Sequence, residues 1–275
     1  MNEHENKTDS APAKTAAAPG GISRNAVFAL VVSIAAFVLV TTLSLEALLV
    51  ALLVVPLVFA VGVMIRPSSL SKWWALGGTG VNLYIAALML GQFVWRTPSF
   101  QAESSIDWLP AFGLKLSLGV DGVAMALIGL TALLGPICVL GSWTAIRSRQ
   151  RMFYGWLLIL QTAMVAVFAA RDLMVFYIGF EFTLLPMFIV INEFGSSNRR
   201  RAAIKFFLYT FTGSLIALAG LIYAVVSVSR APGVDGFTLD IATLTAHAAT
   251  TLTPGQQAVV MFAMLAGFAV KVPLF

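Results

Sequence analysis

Charge is scarce in this chain. Of its 275 residues only 11% are charged against 59% that are hydrophobic, and the mean hydropathy of +0.92 lies far outside the range of a soluble globular domain. Cysteine occurs once, as Cys138, which excludes a disulfide or a thiolate metal site within the chain; lying in an apolar run, it reads as a small buried hydrophobe. Of the two histidines, His4 falls in the N-terminal tail and His247 in a polar loop, so neither suits a metal site inside a membrane. There is no glycine-rich phosphate loop, nucleophilic triad or internal repeat. The net charge of +5 comes from bases in short stretches between apolar runs, which sets nucleic-acid binding aside.

What the chain has is long apolar runs. About 20 residues of helix cross a bilayer's hydrocarbon, and a lipid-exposed segment must satisfy its backbone internally, so the expected fold is all-α: a polytopic transmembrane helix bundle. Eight spans are expected, at residues 26–44, 47–65, 74–95, 122–143, 152–169, 173–193, 203–228 and 256–275. Only Leu45 and Glu46 separate the first two, so a single long bent element is the alternative there. Ahead of them, residues 1–25 mix charges with Ala, Pro and Gly and read as a disordered tail. With that tail inside, the inner segments of eight alternating spans hold twelve Lys and Arg residues and the outer segments four, matching the bias of basic residues toward cytoplasmic loops. Trp73, Trp74, Trp95 and Trp143 fall at span ends, where amphipathic rings prefer the interface. Asp172 is placed to cap the sixth span, Thr253 with Pro254 to start the last, and Asp121 to serve as a loop or cap residue. Residues 233–256 form a long polar stretch expected to be a solvent-facing crossover.

Two ionisable residues stand inside spans. An unpaired charge in hydrocarbon costs about 2.5 kcal/mol or more, so Glu181 and Lys271 mark a candidate ion path. Pro186 has no amide hydrogen for the carbonyl of Phe182, beside the carboxylate, and Tyr177 shares the face of Glu181 one turn earlier. Two readings fit: a carboxylate in a hydrated pocket, or a structural one bonded to a neighbouring helix. Lys271 repeats the arrangement, with Pro273 freeing the carbonyl of Ala269. Burial disfavours a charged amine and a nearby carboxylate favours it, so moving the partner would release or recapture a proton. Snorkelling to the interface is the other reading of Lys271. Lys205, Tyr209 and Thr212 recur at i, i+4 and i+7, forming one face that is either a polar lining leading inward or, for Lys205, a topology anchor.

At these residues the chain resembles a known family. Leu118-Gly-Val-Asp-Gly122, Phe180-Glu-Phe-Thr-Leu-Leu-Pro-Met-Phe188, Ala202-Ala-Ile-Lys-Phe-Phe-Leu-Tyr-Thr210 with Gly213-Ser214, and Gly267-Phe-Ala-Val-Lys-Val-Pro-Leu-Phe275 follow one another in the order seen in NADH-quinone oxidoreductase subunit M, the proton-pumping membrane subunit of respiratory complex I known in mitochondria as subunit 4. The resemblance runs from about residue 48 to the end and makes residues 47–275 part of an antiporter-like domain, with an additional helix at 26–46 ahead of it. It implies that Glu181 and Lys271 form a coupled pair in the proton path, with Lys205 on a neighbouring helix. It implies too that NADH, flavin, iron–sulfur clusters and quinone are handled by other subunits, that this chain holds no cofactor, and that its partners are other membrane subunits in a bacterial inner membrane. Two positions depart from the family: Phe180 stands where a Trp precedes the glutamate, and Asn192-Glu-Phe-Gly-Ser196 replaces a Trp-Gly-Gly. Family members continue well past the motif at Lys271, so the expectation is the N-terminal portion of a longer subunit or a truncated product that does not pump alone. A related cation/proton antiporter subunit and a noncatalytic assembly fragment are the competing readings.

Overall fold

The computed structural model describes residues 43–65, 67–97, 99–109, 114–234 and 236–272. The tail at 1–25, the span at 26–44 apart from its last two residues, and Pro273 lie outside them. Nine α-helices and one β-hairpin follow in chain order among the described residues: α1 (Leu45–Ile65), a 3-10 turn (Ser68–Leu70), α2 (Ser71–Gln92), β1 (Gln101–Leu109), β2 (Leu114–Val120), α3 (Gly122–Gly141), α4 (Gln150–Ala169), α5 (Leu173–Phe182), α6 (Leu184–Phe194), α7 (Arg199–Val228), α8 (Ile241–Thr251) and α9 (Pro254–Lys271).

Among the described residues six stretches are long and apolar enough to cross a membrane: Leu45–Ile65, Ser68–Gln92, Gly122–Gly141, Gln150–Ala169, Leu173–Phe194 and Arg199–Val228. The fold is thus the expected transmembrane helix bundle, although the described residues do not reach eight spans. The expected last span is α9, whose polar start at Gln256 and Gln257 and terminal Lys271 leave it short of the apolar length.

Local chemistry sets the element ends. Leu45 and Glu46, expected to separate two spans, instead open α1, where Ser44 Oγ accepts from the Ala47 amide and Glu46 favours the positive helix start. Asp121 accepts from the Ala124 amide at 2.7 Å and Asp172 from that of Val175 at 2.8 Å, so both act as caps. Thr253 and Gln256 form a capping box with Pro254 at the first turn of α9. Pro56 interrupts the ladder of α1, and the Thr162 hydroxyl on α4 donates to the carbonyl of Leu53 there, as neighbouring helices do where water is excluded.

A packed cluster of Ala60, Val63, Ala75, Val139, Tyr154 and Leu158 joins α1 to α4. Close approach is part of it: a Cβ on Gly78 would stand 2.6 Å from Cγ of Phe59. Trp73 meets Trp143 edge to face at 5.0 Å, and Lys72 donates to the carbonyl of Trp143, tying the start of α2 to the end of α3.

Three features depart from the sequence expectation. The hairpin adds strand to an otherwise helical chain; Ile106 opposite Leu116 and Asp107 opposite Lys115 fix its antiparallel register. Alternation of Leu114, Leu116, Leu118 and Val120 with Lys115, Ser117 and Gly119 is its period-two signature. The crossover at 233–256 contains α8, capped by Asp240 and held by a buried Leu244 against Val225 and Val228. Cys138 is exposed rather than buried. An apolar run does not imply a protein interior in a bilayer, because lipid tails satisfy the same side chains.

Around Arg171 and Asp172 the hairpin and the crossover meet. Arg171 pairs with Glu103 and, at 3.9 Å, with Asp240, while buried Asp172 accepts from the Ser117 amide. Backbone bonds from Arg171 to Ser117, from Ile241 to Arg171 and from Leu173 to Leu239 complete the joint at the start of α5.

Candidate functional site

Glu181 owes its setting to a broken helix. From the Asp172 cap, α5 runs to Phe182 and α6 resumes at Leu184; Thr183 between them keeps helical dihedrals, φ −63° and ψ −25°, so the hydrogen-bond ladder is interrupted while the span runs on. Pro186 supplies no amide to the carbonyl of Phe182, and the Thr183 hydroxyl folds back to donate to the carbonyl of Phe180 at 2.7 Å. Glu181 lies one residue before the end of α5. Its Oε1 is shut off from solvent and makes no hydrogen bond among the described residues.

Lys271, the last residue of α9, reaches this break from the opposite helix. Its Nζ donates to the Phe180 carbonyl at 2.5 Å, stands 3.5 Å from Oγ1 of Thr183, and sits 3.1 Å from the centroid of the Phe180 ring. The ammonium is thereby held by a carbonyl dipole and an aromatic face, the two kinds of partner an apolar environment provides. Phe176, Phe180 and Phe268 pack on one another around it, with centroids 5.5 to 6.3 Å apart. Lys271 and Glu181 interact electrostatically but form no direct ion pair; the ion pairs among the described residues lie elsewhere. Half-buried Lys271 thus points to the broken span.

What brings α9 so close is small residues. A Cβ on Gly213 of α7 would come within 2.8 Å of Val270, and one on Gly267 of α9 within 2.5 Å of Ala217. The bare backbones allow the two helices to touch and set Lys271 one turn beyond the crossing. Tyr177 joins the same region: it feels the Glu181 charge and stands near Ser214, a fully buried residue of α7 whose hydroxyl donates to the carbonyl of Phe211.

Lys205, Tyr209 and Thr212 share one groove on the exposed side of α7, as their spacing predicts, and the Thr212 hydroxyl returns to the carbonyl of Leu208 at 2.7 Å. The structure therefore gathers Glu181, Lys271 and Tyr177 at the break and sets the other three along α7. Sequence reasoning missed Phe180 and Thr183 as partners of the lysine and Ser214 as a neighbour of Tyr177. The signal for the first two was Pro186, which frees carbonyls one turn earlier; a backbone partner on another helix left no trace in residue type. Among the described residues no three His, Cys, Asp or Glu side chains gather as a metal site would require.

Comparison with known proteins agrees on what kind of chain this is. The family model described as NADH:quinone oxidoreductase/Mrp antiporter, TM, matches residues 170–275, which include the broken helix, α7 and α9. F(420)H(2) dehydrogenase subunit M of Methanosarcina mazei is 35% identical over 226 residues, covering 82% of this chain and 45% of that protein. NADH-quinone oxidoreductase subunit M of Rhodobacter capsulatus is 35% identical over 207 residues, covering 74% and 40%. Among solved structures, respiratory complex I from Thermus thermophilus with bound NADH contains a chain that matches with a TM-score of 0.68 at 28% identity, over 82% of this chain and 44% of that one. The chain spans somewhat under half the length of the relatives it matches. It is an integral membrane protein, similar over most of its length to NADH-quinone oxidoreductase subunit M and chain 4, and its residues 170–275 belong to the NADH:quinone oxidoreductase/Mrp antiporter transmembrane family.

Proposed function

We propose that this chain forms part of a proton-translocating membrane subunit of an NADH:quinone oxidoreductase, and that Glu181 and Lys271 are its coupled proton-carrying pair. The observation that carries the reading is the Lys271 ammonium seated on the Phe180 carbonyl at the helix break, with a solvent-free carboxylate oxygen of Glu181 beside it. While Glu181 is ionised it supports the ammonium; once the carboxylate takes up a proton, that support is lost and the apolar surroundings favour release of the lysine proton. Each proton event at one residue thus changes occupancy at the other. Tyr177, Tyr209 and Thr212 supply hydroxyls for a polar lining, and Lys205 is the further basic residue of the path.

Redox chemistry belongs to partner subunits in this reading, which bring the NADH, flavin, iron–sulfur and quinone sites; the chain itself holds no cofactor. The two relatives are named for different electron donors, which fits a membrane subunit whose task is common to both. Its setting is the bacterial inner membrane, among the other membrane subunits of the complex, with the N-terminus cytoplasmic. The basic residues at 147–151 and 199–205 support that orientation. A cation/proton antiporter subunit is the second reading, favoured by a family model that spans both groups. Co-purification with NADH-oxidising subunits decides between them.

In membrane vesicles carrying the assembled complex, Lys271→Ala should lower proton uptake per electron transferred while the subunit is still incorporated. Unchanged proton uptake would remove Lys271 from the path.

A further inference from the structure

Away from the Glu181–Lys271 pair, two buried amides have no partner. Asn82, midway along α2, is fully buried, and Gln161, midway along α4, is 5% exposed; in each, both the amide nitrogen and the amide oxygen lack a hydrogen bond among the described residues. An unpaired buried amide costs on the order of 1–3 kcal/mol, and the hydrocarbon around the bundle offers no relief.

The surroundings of Gln161 are built to receive something polar. Its amide lies against Gly135 of α3, where a Cβ would come within 2.8 Å of Nε2 and 3.1 Å of Oε1, so only a residue without a side chain leaves it room. The next residue is Pro136, which has no amide hydrogen to give the carbonyl of Ala132 one turn earlier on the same buried face. An amide donor and an amide acceptor of α4 therefore lie against α3 about one turn from a carbonyl that its own helix leaves free. Asn82 lies at a similar height. Gly129 meets Leu90, so at 1.5 Å per residue Asn82 is ~12 Å and Gly135 ~9 Å from that contact, less than one helical turn apart along the axis.

Chemistry selects the ligand. A cation would satisfy the two carbonyl-type oxygens and face the amide hydrogens with like charge; an anion would do the reverse. Water donates and accepts at once, and a buried water needs two to four polar partners. We infer that Gln161, Gly135 and the carbonyl of Ala132 form a buried water site between α3 and α4, with Asn82 holding water at the same level. The site is distinct from the proposed proton pair but lies at a similar depth. Gly179 of α5 packs against Ala166 and Val167 of α4, and from there Gln161 is ~8 Å and Thr183 ~6 Å along their helices in the same direction. Polar contacts thus occupy one layer of the membrane on both sides of α4.

The test is water-edited solid-state NMR on the full chain in phospholipid vesicles, with glutamine and asparagine side chains labelled with nitrogen-15. The Gln161 signal is identified by its loss in Gln161→Leu, or in Gln161→Met should the first variant fold poorly. The expected result is transfer of water magnetisation to the Gln161 amide, and its loss in Gly135→Ala, where the added methyl takes the space. A Gln161 amide that receives no water magnetisation while exposed glutamines do would overturn the inference. Lys271→Ala should leave the Gln161 signal unchanged, so this result and the proton-uptake result stand or fall separately.

Discussion

Helix α4 and the broken span α5–α6 are neighbours in sequence, similar in length and both apolar, yet they are built for different ends. In α4 the ladder is continuous and 39% of its most apolar window is buried within the chain; in Leu173–Phe194 the corresponding share is 17% and the ladder is interrupted at Thr183. The first contributes Tyr154 and Leu158 to the packed cluster, so it helps fix the bundle. The second carries a proline and a carboxylate, both unfavourable inside a lipid-embedded helix, and is met there by a lysine from another helix. Between these two spans, the interrupted ladder and the ionisable group fall in the one that packs less, where local change disturbs the scaffold less.

Substitutions can break or sharpen that contrast. The largest effect on stability is expected from Leu158→Ala, which removes a fully buried side chain from the α1–α4 cluster and should cost about 3 kcal/mol in unfolding measurements in detergent. Ile178→Ala, on an exposed face of α5, serves as its control and should cost little. Next comes Glu181→Gln, which keeps shape but removes the ionisable group: proton uptake by the assembled complex should fall on the order of a hundredfold with the unfolding midpoint nearly unchanged. A large loss of stability with uptake retained would reverse the roles assigned to the two spans. The smallest effect is expected from Pro186→Ala, which returns an amide to the Phe182 carbonyl; stability should rise by about 1 kcal/mol as the ladder closes, and proton uptake should fall as the backbone around the Phe180 carbonyl tightens away from Lys271.

Much of this was legible in residue order. The boundaries of the middle spans, the caps at Asp121, Asp172 and Thr253, and the two ionisable residues within spans follow from hydrocarbon thickness, orphan amides and the cost of unpaired charge. The motifs around Glu181 and Lys271 carried the family. The hairpin was hidden because its alternating run is short and is bounded by residues that also read as loop, and α8 because Thr-rich helices look like crossovers. Exposure of Cys138 was hidden because an apolar helix looks alike on its protein and lipid sides.

By itself the sequence determined that the chain lives in a membrane and which two charges must find partners there, since hydropathy and the cost of desolvation are properties of residues in order. Only the tertiary structure decided who those partners are. The crossing of α7 and α9 at Gly213 and Gly267 brings Lys271 onto a backbone carbonyl of the broken helix, and the meeting of Gly135 with Gln161 leaves an amide between α3 and α4. Both depend on how closely two backbones approach, a distance set by packing between helices far apart in the chain.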